Sequence, residues 1–129
     1  AWRSAVLQEG INSIFVVAPS TKDDRLEKVT AECSGFIYAA SLMGVTGTRT
    51  SVSSSAKDLV SRIRRVSDTP VAVGLGVSTP EQAHEVAQYA DGVIVGSAFI
   101  RLLQESNSRD EGMSRVRDLA ASLAKGVRR

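Results

Sequence analysis

"VAVGLGVSTPEQAHEV", residues 71–86, carries an apolar run into a glycine pair and then straight into a helix start. Val71-Ala72-Val73-Gly74-Leu75 has no polar side, the pattern of a parallel strand covered on both faces. Thr79 suits an N-cap, Pro80 suits the first helical position, and Gln82 completes a capping box. Ala83, Val86, Ala87 and Ala90 then share one face of the helix, with His84 off that stripe as a solvated or rim residue. A strand, a glycine turn and a capped helix make one βα unit. Gly74 and Gly76 could serve only the turn, or could let the backbone approach a small anion.

The same unit recurs along the chain. Ile14–Ala18, Phe36–Ala40 and Gly92–Gly96 are three further apolar runs of strand length. Between them, Thr21–Cys33 places Leu26, Val29 and Cys33 on one side of a helix. Ala56–Val66 places Ala56, Leu59, Val60, Ile63 and Val66 on one stripe, and a last helix is predicted over about Glu111–Lys125. This alternation predicts an α/β fold with parallel strands joined by right-handed crossovers. A small doubly wound sheet and part of an eight-stranded barrel both fit. A whole TIM-type barrel takes ~250 residues, so these 129 residues, with four βα units and flanking helices, read as about half a barrel in one domain, residues 1–129.

Composition narrows the function. Hydrophobic residues make up 43% and charged residues 23%, an ordinary globular balance. No apolar run approaches the ~20 residues that span a bilayer, so no membrane partner is expected. The N-terminal residues lack the layout of a signal peptide. One cysteine, Cys33, excludes an internal disulfide and suggests a reducing, cytoplasmic setting; it reads as a small apolar side chain near a helix end. One Cys and one His build no metal set. The +2 net charge owes much to Arg115, Arg117, Lys125, Arg128 and Arg129, but no aromatic residue follows Phe99. That arrangement suits cations near a helix C-terminus better than a nucleic-acid surface.

The chemistry lies at the strand ends. Ligands of parallel α/β folds meet the loops after the carboxyl ends of strands, and there the glycines gather: Gly44 and Gly47, then Gly74 and Gly76, then Gly96 before Ser97. Their N–H groups could converge on one anion, helped by the N-terminus of the segment Ala98–Leu103. In barrels a phosphate site typically follows the last two strands beside a short helix. Gly74-x-Gly76-x-x-Thr79 lacks the third glycine of a dinucleotide fingerprint and follows the wrong strand. The strand ends offer no carboxylate for acid–base work; Asp23, Asp24 and Glu81 sit where a helix's first turn favours negative charge. Tyr38 is the one polar aromatic residue on a strand and could line a pocket. The chain reads as able to hold a phosphate and poorly equipped to react it.

Three segments, "FIYAASLMGVTGTR", "PVAVGLGVSTPEQ" and "ADGVIVGSAFI", resemble the tryptophan synthase α subunit in order and spacing, and "IFVVAPSTKDDRLEKV" resembles that family's preceding strand and helix. The resemblance covers nearly the whole chain. It implies a (β/α)8 barrel that cleaves indole-3-glycerol phosphate to indole and glyceraldehyde 3-phosphate, a retro-aldol lyase step without a cofactor. It implies a β subunit that takes the indole and joins it to serine. By position, Gly47, Gly76, Gly96 and Ser97 would clamp the phosphate, Thr46 would sit on a loop closing over substrate, and Tyr38 and Leu75 would border the indole. Many relatives carry Phe where Leu75 stands. The family's catalytic glutamate and aspartate lie on the first half of the barrel, outside this sequence, so the chain alone is expected to be inactive. Other phosphate-binding barrel enzymes share the last-strand clamp but not the G-V-T-G-x-R loop, and a non-catalytic half-barrel that only binds also fits the residues. Two bare edge strands would need the barrel's N-terminal half or a second copy, and a homodimer is the expectation.

Overall fold

The computed structural model describes residues 1–41, 54–74 and 76–128. Six helices and four strands follow in the order α1 (Trp2–Gln8), β1 (Val16–Val17), α2 (Asp23–Glu32), β2 (Ile37–Ala40), α3 (Ser54–Val66), β3 (Val71–Gly74), α4 (Pro80–Ala87), β4 (Gly92–Ile94), α5 (Ser97–Glu105) and α6 (Arg109–Val127). The strands form one parallel sheet in the order β1-β2-β3-β4. Val16 is level with Tyr38, Tyr38 with Ala72, and Ala72 with Gly92.

Register divides the sheet into two faces, because successive side chains point to opposite sides. Val17, Ile37, Ala39, Val71 and Val73 lie under the helices and are buried. Leu26 of α2, Leu59, Val60 and Ile63 of α3, Ala83 and Val86 of α4 and Leu123 of α6 close over them. Fully burying one such side chain contributes about 1.5–3 kcal/mol, so this single layer carries the fold. On the opposite face Ile14 and Val16 stay 41% and 61% exposed. Coverage on both faces, expected from the unbroken apolar runs, is therefore met at β3, whose four residues are all buried, but at β1 on one face only. Half a ring has an inner side with no opposing strands to fill it.

Local chemistry explains where elements begin. Predicted from Thr21, α2 starts at Asp23 because the Thr21 hydroxyl accepts from the Ala18 N–H at 3.0 Å and is held in the turn. Predicted from Glu111, α6 starts at Arg109, where the Ser108 hydroxyl caps it by accepting from the Glu111 N–H at 3.1 Å. The capping box of α4 forms as expected, with Thr79 accepting from the Gln82 N–H and the Gln82 side chain reaching back. β1 and β4 are shorter than their apolar runs. Val66, expected on the buried stripe of α3, is the helix's last residue and 43% exposed.

Two carboxylate contacts set the frame. The Asp91 carboxylate accepts from the Val71 N–H at 2.9 Å and pairs with Arg64 at 3.2 Å, aligning the start of β4 with that of β3. Arg62 of α3 pairs with Asp23 and donates to the carbonyls of Pro19 and Thr21, tying down the loop after β1.

Candidate anion site at the strand ends

The parallel order puts the carboxyl ends of all four strands on one rim. Of the residues expected there, Tyr38, Gly76, Gly96 and Ser97 are described, whereas Thr46, Gly47 and Leu75 lie outside the described residues. Tyr38 stands on the open face of β2, half-buried, opposite the face that carries the buried Ile37 and Ala39. Its hydroxyl reaches over to β3, 3.1 Å from where a Cβ on Gly74 would sit.

The glycines divide by cause. Gly76 has φ 86°, the left-handed region that glycine adopts without the steric cost other residues meet, so the turn itself accounts for it. Gly74 is a close approach between strands, since a Cβ there would lie 2.7 Å from the Ile94 Cβ and 3.0 Å from the Ile94 carbonyl oxygen. Gly96 has neither cause. Its φ of −132° is outside the left-handed region, and nothing lies within 4 Å of a Cβ built on it.

Gly96 is the N-cap of α5, with no side-chain cap, and Ser97 is the first helical residue; both are exposed. The Phe99 and Ile100 N–H groups return to the Gly96 carbonyl, and the described residues offer no acceptor to those of Ser97 and Ala98. Orphan donors at a helix start, backed by the helix dipole, attract an anion. The neighbouring β3–α4 loop is fixed by Gln82, whose side-chain oxygen accepts from the N–H groups of Ser78 and Thr79 at 2.9 and 3.3 Å. At the next loop, buried Ser41 donates its N–H to the Gly74 carbonyl, and its hydroxyl shares a hydrogen bond with Ser55 at 3.2 Å. That contact joins the end of β2 to the start of α3.

Val16, within the apolar run Ile14–Ala18, was expected only as a strand residue. It is level with Tyr38 on the open face of the sheet. Period-two alternation would have found it: exposed Ile14 and Val16 interleave with the more buried Phe15 and Val17, but all four are apolar and the contrast is invisible in hydropathy.

Titratable groups lie elsewhere. Burial pushes the Cys33 thiol up from its ordinary value, which suits a side chain packed against the core at the end of α2 and not a thiolate nucleophile. Exposed His84 bonds through Nδ1 to the Gly126 carbonyl of α6 at 3.0 Å. Among the described residues no three His, Cys, Asp or Glu side chains gather as a metal-holding group, and no helix is long and apolar enough to cross a membrane. Tyr89, after α4, has its phenol pushed up to about 12 by burial and then by the nearby Glu85 charge; its hydroxyl has no partner among the described residues. The unfolded chain ionises Tyr89 near its ordinary value of 10 while the folded chain keeps the proton, so stability is full below pH 10 and falls as pH rises from 10 toward 12. Tyr89→Phe should match the parent near neutrality or exceed it, and should flatten that alkaline decline in urea midpoints measured from pH 9 to 11.5. An unchanged decline would remove Tyr89 as its source.

A parallel sheet of four strands alternating with helices defines part of a (β/α)8 barrel. The comparisons sharpen that class. The family profile "Tryptophan synthase alpha chain" matches residues 1–128. The chain is 58% identical over 127 residues to the tryptophan synthase alpha chain of Streptomyces avermitilis, covering 98% of this chain and 46% of that one. For the Streptomyces coelicolor alpha chain the figures are 58%, 98% and 47%. Among solved structures, Mycobacterium tuberculosis tryptophan synthase superposes with a TM-score of 0.84 at 48% identity, over 99% of this chain and 46% of that one. A mutant alpha subunit from Pyrococcus furiosus gives 0.80 at 31% identity, over 96% and 49%. The chain belongs to the tryptophan synthase alpha chain family. It spans about half the length of the curated relatives it matches.

Proposed function

We propose that this chain is the phosphate-binding half of a lyase of tryptophan biosynthesis, acting in the cytoplasm, that cleaves indole-3-glycerol phosphate to indole and glyceraldehyde 3-phosphate. The observation that carries the reading is Gly96, which has no packing neighbour within 4 Å of a Cβ and no left-handed φ, standing at the start of α5 beside the Ser97 and Ala98 N–H groups, which find no acceptor among the described residues. Gly76, Gly96 and Ser97 hold the phosphate, with Gly47 joining them by its place in the family motif. Tyr38 and Leu75 border the indole, and Thr46 belongs to the loop that closes over it.

The chemistry explains what this half supplies. Retro-aldol cleavage adds a proton at indole C3 and removes one from the adjacent glycerol hydroxyl, whose oxygen becomes the aldehyde carbonyl as the C–C bond breaks. Both transfers need side chains of suitable pKa at the reacting atoms, and those carboxylates belong to the other half of the barrel. Holding the phosphate fixes the substrate's far end, so binding energy remote from the bond orients it. A tryptophan synthase β subunit is the partner that takes the indole onward. The bare sheet needs a cover as well, the barrel's other half or a second copy.

Amide-resolved NMR titration of the chain with indolepropanol phosphate tests the site. Shifts should concentrate on Gly76, Gly96 and Ser97. A well-dispersed spectrum whose rim amides do not respond, or respond less than those elsewhere, would overturn the assignment.

A further inference from the structure

We propose that Gln82 is a positioning residue for phosphate binding: its side-chain oxygen holds the β3–α4 loop in the shape that keeps Gly76 at the rim with its N–H unspent. The proposal rests on the reading of this chain as phosphate-binding. Residues 75–79 join β3 to α4. Gly76 is exposed, and its N–H finds no acceptor among the described residues. Its φ of 86° turns the chain but does not fasten it. The fastening comes from the residues that follow. Val77 is 3% exposed and packs into the core. Beyond it, the Gln82 side-chain oxygen accepts from the Ser78 N–H at 2.9 Å, the Thr79 N–H at 3.3 Å and the Ser78 hydroxyl at 3.3 Å. Backbone N–H groups only donate, so the atom facing them is the amide oxygen and not its nitrogen.

Helix capping alone does not call for this arrangement. In a capping box the third helical side chain returns to the N-cap N–H, and the N-cap hydroxyl accepts from the third N–H. Thr79 does its part by accepting from the Gln82 N–H at 3.2 Å. Gln82 goes one residue further than its part requires. Its shortest contact is with Ser78, outside the helix, and Ser78 gives it a second donor. Ser78 and Thr79 are both exposed, so water could satisfy these donors and burial does not demand the bonds. Their consequence is geometric. Gln82 precedes Ala83, which is 0% exposed in the core, so the first turn of α4 is a fixed frame. Ser78 is tied to that frame, and Gly76 is held between it and the end of β3. Glutamine also suits the place better than glutamate, the other residue a capping box accepts. A neutral amide takes the same N–H groups without putting negative charge on a loop that receives an anion.

Three variants of the chain test this, each followed by amide NMR and by titration with indolepropanol phosphate. Gln82→Met keeps the length of the side chain and removes the acceptor. It should displace the Gly76 amide resonance in the free chain and weaken binding about tenfold, the loss of one hydrogen bond to a charged group. Thr79→Ala removes the other arm of the same capping box. It should lower the thermal midpoint as far as Gln82→Met does, yet keep affinity within about twofold of the parent, because Ser78 stays tied to Gln82. Gln82→Glu keeps the acceptor and should leave the Gly76 resonance in place, while binding more weakly by a deficit that shrinks as salt rises. Equal losses of affinity in Thr79→Ala and Gln82→Met would reduce Gln82 to a helix cap and overturn the proposal. So would a Gly76 resonance that moves as far in Gln82→Glu as in Gln82→Met. A parent chain whose Gly96 and Ser97 amides do not respond to the ligand removes the phosphate reading and this proposal together. A parent that responds there, beside a Gln82→Met variant that binds equally well, overturns this proposal alone.

Discussion

Replacing Gly96 with valine is expected to leave the fold standing and to abolish the phosphate binding proposed for this chain. Nothing in the described structure lies within 4 Å of a Cβ at this position, so the substitution meets no packing conflict. Its folding cost is confined to the helix start, where an apolar N-cap in place of glycine loses about 1 kcal/mol or less. Binding suffers far more. A valine side chain would stand beside the Ser97 and Ala98 N–H groups, the place a phosphate must occupy to use them. Hydrogen bonds to a charged group contribute about 1.5–3 kcal/mol each, so losing two implies a fall in affinity of roughly 100-fold or more. Titration with indolepropanol phosphate, alongside thermal unfolding of the same variant, separates the two effects. Parent-like affinity in Gly96→Val would sink the phosphate role of this glycine, whatever the variant's stability.

Most of the fold is legible in the sequence because two periodicities and a few caps encode it. The unbroken apolar runs mark parallel strands, and the Thr79-Pro80-Gln82 signature starts α4 where it was predicted. Hydropathy could not say which face of each strand would be covered. Val16 and Val17 are chemically identical and adjacent, yet one is 61% exposed and the other 2%. That difference comes from the path of the whole sheet, a non-local property. The start of α2 was misplaced for the opposite reason. The Thr21 hydroxyl serves a turn two residues before the helix, a local competition between side chain and backbone that composition does not rank.

The candidate site is legible in part, and the glycines show why. In sequence all are equivalent, each explained by a turn. The structure assigns Gly76 to backbone conformation and Gly74 to strand contact, and gives Gly96 neither a positive φ nor a close neighbour. The absence of carboxylates at the strand ends was readable, because parallel topology alone fixes which residues reach the rim. Ser41 and Ser55 were not readable as a pair; fourteen residues separate them, and only the return of α3 to the end of β2 makes them neighbours.

Gly74→Val should produce the opposite signature to Gly96→Val, a large loss of stability. The conflict is with groups that cannot step aside: the Ile94 Cβ at 2.7 Å and its carbonyl oxygen at 3.0 Å from the new Cβ. The Tyr38 hydroxyl at 3.1 Å can swing away, but Ile94 belongs to a strand in register with Gly74 itself. Relief therefore means prying β4 from β3, two residues before Gly96. Overpacking of this kind costs about 3 kcal/mol, and for a chain of this size that corresponds to a drop in midpoint temperature of roughly 10 °C. Gly74→Ala, with the same Cβ and nothing beyond it, should cost less but keep the sign. A Gly74→Val variant that melts within a degree of the parent would show that β3 and β4 can separate freely. Tyr38 would then owe its position at the site to something other than the narrow gap that glycine leaves.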